Sequence, residues 1–293
     1  MKLLQVIAVA LMSAYSGMAG ANPVRVAAVN APLADFAQRI AGDRAQIVYP
    51  VPEGADPAFW RPAVKDISAI QQADLILLNG ADFAAWTSKA SLPRSRTVNT
   101  SGAFADDYIT TSGGVTHSHG ADGEHSHKGL ASLTWLDLSQ AARQIQAIGQ
   151  ALARRDGAGA EAYRDGAGRL AQDLQVLHTR AAAAAEPFRG TPVLASHPGL
   201  EYFARAYGLT LTTLDWPAGD APTAAQLSAL DAQTDGVPTG ALFLFLGDPH
   251  PEARDAILAK GMVPVVIDPA TNARGQVLDI LTANIDRLEA AGR

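Results

Sequence analysis

Four of the seven histidines in this 293-residue chain lie in one short segment, HSHGADGEHSH. They are His117, His119, His125 and His127, and the carboxylates of Asp122 and Glu124 lie between them. Imidazole is the commonest metal ligand among side chains, and carboxylates supplement it. The segment therefore indicates capture of a divalent metal, and a solvated polar loop without a role is the alternative interpretation.

Two further candidate ligands follow apolar segments that are typical of buried strands. His197 stands in a Ser-His-Pro-Gly sequence just after residues 192–195, and Asp268 follows residues 263–267 and precedes a proline. Open parallel sheets bind ligands at the carboxyl ends of their strands, which favours a role in binding for both residues. A structural histidine and a turn-capping aspartate are the alternatives.

Asp248 and His250 also follow an apolar segment, at residues 242–246. Either residue is chemically able to bind a metal, but Asp and neighbouring prolines are also the usual residues of tight turns. We regard turn chemistry as the better interpretation of this pair and keep both residues as candidate cleft contacts.

The composition excludes several classes of site and of protein. The chain has no cysteine, so disulfides, thiolate zinc sites and cysteine nucleophiles are excluded. Histidine and carboxylate ligands suit zinc, manganese, nickel or copper(II). The formal net charge of −6 gives no basic excess for nucleic acid. Because the sequence contains no G-x-S-x-G, Walker A or H-E-x-x-H motif, we expect a binding protein and not an enzyme.

The N-terminus has the layout of a secretory signal peptide. Lys2 precedes an apolar segment at residues 3–12, and small residues at 19–21 form a cleavage site. We therefore predict a cleaved signal peptide at residues 1–21 and a periplasmic location. No later segment reaches the roughly 18 apolar residues that a membrane span requires.

Apolar strands and helices alternate through most of the chain, which predicts βαβ units and parallel sheets. We predict an N-terminal α/β lobe at 22–136 with an exposed His-rich loop at 110–129, a helical connector at 137–187 and a C-terminal α/β lobe at 188–293. Within the connector, the spacing predicts one long helix over residues 160–185. A cleft between two lobes is a common place for a small ligand.

Several segments resemble, in the same order, those of the zinc and manganese solute-binding proteins of ABC importers. They are PEGADP at 52–57, DISAIQQADLILLNGADFAAW at 66–86, TWLDL at 134–138, ASHPGLEYFARAYGL at 195–209 and VVIDP at 265–269. The resemblance implies two similar lobes, each a parallel sheet flanked by helices, joined by a long backbone helix with the ligand cleft between them. It also implies a divalent metal ligand, an ABC importer permease as partner and a monomeric chain.

The resemblance carries over only part of the family's metal site. The third and fourth family ligands correspond to His197 and Asp268, and Asp248 stands near the place of a glutamate found in some members. The positions of the first and second ligands hold Ala58 and Leu133, whose side chains cannot coordinate a metal.

Three hypotheses follow. In the first, the protein binds a metal, Zn²⁺ or else Mn²⁺ or another divalent ion, through His197, Asp268 and the loop histidines, and delivers it to an importer. In the second, it is a periplasmic metal carrier or buffer that uses only the His-rich loop. In the third, the cleft holds an anion or a metal chelate, contacted by Trp60, Arg61 and Trp135.

Overall fold

The computed structural model describes residues 22–118, 124–216 and 218–293, with side chains described outside residues 112–128. The predicted signal peptide at 1–21 and His119 lie outside the described residues. Within these ranges, none of the helices combines the length and apolar character needed to cross a bilayer.

Ten strands and eight helices make up the regular structure of the described residues. The strands are β1 (Val24–Ala28), β2 (Ala45–Val48), β3 (Leu75–Leu78), β4 (Thr97–Asn99), β5 (Thr110–Ser118), β6 (Glu124–Leu130), β7 (Pro192–Ala195), β8 (Thr210–Thr213), β9 (Leu242–Leu246) and β10 (Val263–Ile267). The helices are α1 (Ala31–Ala41), α2 (Val64–Gln71), α3 (Leu138–Arg155), α4 (Ala160–Ala185), α5 (Glu201–Tyr207), α6 (Ala224–Gln233), α7 (Pro251–Ala259) and α8 (Val277–Ala291).

Two four-stranded parallel sheets form the two lobes. The first has the order β2-β1-β3-β4 and the second the order β10-β9-β7-β8. Their central strands are continuous apolar segments, LILL in β3 and LFLFL in β9, and β9 is buried along its whole length. Such segments suit strands that are covered by helices on both faces. The predicted α/β architecture is confirmed.

Helix α4 connects the lobes and has the predicted bounds, Ala160–Ala185. It packs along α3 and contacts both α1 of the first lobe and α8 of the second. Close approach to α1 depends on Gly166, because a β-carbon built there would lie 2.6 Å from the carbonyl oxygen of Ile40. The connector is therefore part of the packed core that holds the two sheets together.

Two elements differ from the sequence prediction. The segment 110–129 was predicted to be an irregular loop, but β5 and β6 pair there as an antiparallel ribbon with a register shift between Thr111 and Val115. Strand β4, which pairs with β3, was not predicted. Backbone hydrogen bonds to a neighbouring strand define both elements, and such bonds need no apolar alternation in the sequence.

Candidate functional site

A cavity of about 1280 Å³ lies between the two lobes and is lined by residues from both. His197 and Asp268 line it on the side of the second lobe. Ala58, Leu133 and Arg61 line it on the side of the first lobe. The structure thus brings the two candidate ligands and the two replaced ligand positions to the same cleft.

His197 follows β7 and is 7% exposed. Its Nδ1 lies 3.0 Å from the hydroxyl of Ser196, which in turn accepts a hydrogen bond of 3.1 Å from the backbone N–H of Leu246. Ser196 therefore fixes the ring orientation through Nδ1. Metal-binding histidines are typically held in this way, through the ring nitrogen that does not contact the metal.

Asp268 is held at the end of β10 by a buried amide. Asn284 of α8 accepts a hydrogen bond from the backbone N–H of Asp268 at 2.9 Å and donates to its carbonyl oxygen at 2.8 Å. The carboxylate accepts at Oδ1 from the N–H of Ala270 at 2.7 Å. Ala270 has φ +57°, a left-handed conformation that a non-glycine residue adopts at an energetic cost. The carboxylate is thus fixed before any ligand binds.

The sheet order sets the spacing between the two candidate ligands. Strand β9 lies between β7 and β10, so His197 and Asp268 follow strands that are about 10 Å apart, twice the usual separation of neighbouring strands. Gly247 follows β9 at the midpoint with φ +82°, and it presents no side chain to this gap. His197, Gly247 and Asp268 all line the same cavity.

The two replaced positions form an apolar part of the opposite wall. The N–H of Ala58 donates to Asp56 Oδ1 at 2.8 Å, which fixes the turn that carries it. Leu133 extends across to the second lobe, where a β-carbon built on Gly199 would lie 3.3 Å from its Cδ1. Among the described residues, no group of three or more histidines and carboxylates is arranged to hold a metal.

Further charged side chains line the same cavity. The carboxylates are Glu53, Asp56 and Glu201, and the cations are Arg61 and Arg274. Both carboxylate oxygens of Glu201 accept from the N–H of Gly199 at 3.0 Å. Glu201 was not predicted from the sequence to line the cleft, although it follows His197 by only four residues. Arg274 has no local sequence pattern that links it to the cleft.

Arg274 is held by contacts that cross between the lobes. Its Nη2 donates to the carbonyl oxygen of Val51 at 2.7 Å, and its Cζ lies 5.5 Å from the ring centroid of Tyr49. Burial raises the pKa of Tyr49 to about 12, and its hydroxyl donates to the carbonyl oxygen of Thr271 at 3.5 Å. These contacts fix the rim of the cleft near Arg274.

A buried polar network supports the wall segment that carries Leu133. Asn79, after β3, donates to the carbonyl oxygen of Ser132 at 2.9 Å and accepts from Asn30, Thr134 and Gln144. The side chains of Asn30, Thr134 and Gln144 are fully buried. Because buried amides are costly to leave unpaired, this network fixes the position of the wall relative to the first sheet.

The other predicted contact residues occupy different environments. Trp60 and Arg61 line the cleft, and Trp60 packs edge-on against Trp86 with 6.1 Å between ring centroids. Trp135 is fully buried behind the wall, where its Nε1 donates to the carbonyl oxygen of Pro269 at 2.8 Å. The indole is thus used in contact between the lobes, because its polar atom is already paired in the core.

Asp248 and His250 lie beside the cleft. Asp248 is exposed, and His250 lines a small separate pocket with a volume of about 10 Å³. His250 is the N-cap of α7 and accepts the N–H of Glu252 at its Nδ1, at 3.3 Å. For this histidine the structure gives the turn and capping chemistry that the sequence favoured.

The backbone register of the ribbon relates three of the four clustered histidines. His117 is paired directly with His125, and Val115 with His127. The register therefore makes His117 and His125 direct neighbours across the ribbon.

Comparison with known proteins agrees with this architecture. Residues 26–291 match the family described as zinc-uptake complex component A, periplasmic. The manganese-binding lipoprotein MntA of Halalkalibacterium halodurans is 29% identical over 180 residues, which are 60% of this chain and 55% of that protein. The chain spans less than two thirds of the length of such curated relatives.

Solved structures share the fold. The metal-dependent lipoprotein YcdH of Bacillus subtilis aligns with a TM-score of 0.74 at 21% identity, over 91% of this chain and 98% of that one. The Zn(II)-bound ZnuA-like domain of Streptococcus pneumoniae AdcA gives a TM-score of 0.71 at 20% identity, over 92% and 98% of the two chains. Because the match extends over residues 26–291, the chain belongs to the family described as zinc-uptake complex component A, periplasmic.

Proposed function

We propose that this protein is a periplasmic solute-binding protein that holds a divalent metal in the cleft between its lobes and delivers it to the permease of an ABC importer. The observation that carries the proposal is the placement of His197 and Asp268 on either side of Gly247, at the carboxyl ends of β7 and β10. Both groups are fixed by buried hydrogen bonds before a ligand arrives.

The proposed metal is Zn²⁺, with Mn²⁺ as the alternative. Relatives are named for each metal, since MntA is a manganese-binding lipoprotein and the AdcA domain carries zinc. One imidazole and one carboxylate suit either ion, and the imidazole favours zinc. The predicted signal peptide at residues 1–21 supports a periplasmic location.

We expect His197→Ala to lower the affinity of the cleft for Zn²⁺ by more than about 100-fold, because loss of a direct ligand exceeds the 10–100-fold cost of losing a supporting contact. Calorimetric titration of the mature chain with Zn²⁺ and with Mn²⁺ measures the effect. His250→Ala is the matched control, since that histidine caps α7 outside the cleft.

Equal affinities of the His197→Ala variant and the parent chain would contradict a metal site in the cleft. A large loss of affinity in His250→Ala would instead assign the site to the small pocket beside the cleft. The ratio of the Zn²⁺ and Mn²⁺ affinities of the parent chain decides between the two ions.

A second candidate function, a metal carrier or buffer, is favoured by the register that pairs His117 directly with His125. Histidines in this register suit a divalent ion bound at the surface of the ribbon. Deletion of residues 116–128 is expected to remove binding equivalents that His197→Ala leaves intact. If the deletion removes all zinc binding and His197→Ala removes none, the protein is a carrier and the cleft has lost its metal.

A further inference from the structure

We propose that the cleft takes its metal as a complex with a small amino acid chelator, and that Arg61 binds a carboxylate of that chelator. This inference rests on the proposed function, because it assigns the form in which the metal occupies the same cleft. His197 and Asp268 then complete the coordination sphere of a metal that already carries other ligands.

The wall that faces His197 and Asp268 offers no metal-binding group at the two replaced positions. The opposite wall presents a methyl group at Ala58 and an isobutyl group at Leu133, and neither can coordinate a metal. Oδ1 of Asp268 is already engaged with the N–H of Ala270. A zinc ion takes four or more ligands, so His197 and Asp268 leave at least two positions for other donors. A bidentate chelator supplies two.

The cleft wall also carries the guanidinium of Arg61, which is suited to bind a carboxylate. The guanidinium of Arg61 is exposed and lines the same cavity as His197 and Asp268. A guanidinium cannot coordinate a metal ion, whereas it binds a carboxylate through two parallel hydrogen bonds. A metal complex that bears a carboxylate can bind both groups, with its metal at His197 and its carboxylate at Arg61.

The cavity is large enough for a metal complex. The cavity volume of about 1280 Å³ is far larger than the share of one water molecule, about 30 Å³, and exceeds the 300–1000 Å³ typical of small-molecule sites. Trp60, adjacent to Arg61 and fixed against Trp86, adds an aromatic surface to the wall. A metal with one or two small organic ligands fits this space.

The balance of charge selects the class of chelator. The wall carries four carboxylates, at Glu53, Asp56, Glu201 and Asp268, and two guanidiniums, at Arg61 and Arg274. This acidic excess disfavours a polyanionic complex such as zinc citrate. It suits a complex of low net charge, in which each amino acid ligand brings one carboxylate and one or two neutral nitrogen donors. Zinc with L-histidine is the probe that represents this class.

Equilibrium dialysis of the full mature chain against radiolabelled L-histidine, with and without Zn²⁺, tests the proposal. We expect retention of at least one L-histidine per chain when Zn²⁺ is present and none when it is absent. The His197→Ala variant retains the His-rich ribbon and therefore defines the background of that ribbon. Retention above this background is the signal from the cleft.

Alanine substitutions of one arginine in the cavity wall and one lysine outside it make the test specific. Arg61→Ala is expected to lower the affinity for the zinc–histidine complex at least fivefold and to leave the affinity for Zn²⁺ alone unchanged or higher. Lys65→Ala is the control, because Lys65 is an exposed cation of α2 that lies four residues away and outside the cavity wall. It is expected to change neither affinity.

The outcomes separate this inference from the proposed function. If Zn²⁺ binds in a His197-dependent way while L-histidine is not retained, or Arg61→Ala changes nothing, the chelate proposal is overturned and metal binding in the cleft stands. If citrate supports retention equally well, the assignment to amino acid chelators is overturned. If neither Zn²⁺ nor its complex binds above the His197→Ala background, both proposals fail.

Discussion

Placing histidine at both Ala58 and Leu133 is expected to tighten Zn²⁺ binding in the cleft by about 1000-fold, equivalent to about 4 kcal/mol. The two positions line the wall that faces His197 and Asp268, so the variant completes a set of three imidazoles and one carboxylate. A closed zinc site has four such ligands in tetrahedral geometry. Competition titration with a zinc chelator of known affinity measures the gain.

The matched control replaces Ala58 and Leu133 with asparagine, which is polar like histidine but smaller and a poor zinc ligand. It is expected to leave the affinity near that of the parent chain. Each single histidine variant is expected to give only part of the gain. The loss of the Leu133 contact at Gly199 costs stability in both double variants, and thermal unfolding shows whether this cost is equal.

An affinity of the double histidine variant no higher than that of the asparagine control would mean that the two walls lie too far apart to share one ion. The same variant also tests the chelator. Because the added imidazoles supply the missing donors, we expect zinc binding to lose its dependence on L-histidine. Continued retention of L-histidine at the original ratio would show that the cleft binds the chelator for reasons other than coordination.

The placement of His197 and Asp268 was predictable because it follows from strand polarity. Strands β9 and β10 have the predicted bounds, 242–246 and 263–267, since their apolar segments are continuous and bounded by turn residues. Parallel strands direct their carboxyl ends to one edge, so residues that follow them share that edge.

The rest of the wall depends on how the lobes contact each other. Trp135 bonds to Pro269, and Tyr49 to Thr271, across 134 and 222 residues of sequence. These contacts decide that Arg274 lines the cleft and that Trp135 does not. No periodic pattern in the sequence predicts these contacts, because they join loops and short turns whose residues have no regular spacing. Arg61 and Asp268 were predicted from the sequence to lie in the cleft, whereas Glu201 and Arg274 became apparent only in the structure.

The pairing of β5 with β6 was not predictable from the local sequence pattern, for a different reason. Its residues between 110 and 129 lack apolar alternation, which is the pattern that identifies a half-buried strand. Pairing between the two strands supplies the backbone hydrogen bonds that define them. The consequence for function is specific, since pairing turns a cluster of histidines into a set with a defined register.

Gly166→Ala is expected to destabilise the protein by about 2 kcal/mol, within the 1–3 kcal/mol typical of an overpacked core. A β-carbon at this position would lie 2.6 Å from the carbonyl oxygen and 3.2 Å from Cα of Ile40. Both are backbone atoms of α1, which cannot move aside as a flexible side chain can. Helices α1 and α4 must separate instead, and thermal unfolding is expected to show a transition lowered by several degrees.

Gly168→Ala provides the control with the opposite expected sign. Gly168 lies two residues along the same helix, is exposed, and has no heavy atom within 4 Å of a built β-carbon. There, alanine gains about 0.5–1 kcal/mol because it restricts the unfolded chain more than glycine does. If both variants were stabilised, the close packing of α4 on α1 would be contradicted. Because α4 also contacts α8, opposite signs would show that one glycine sets how closely the connector joins the two lobes that form the cleft.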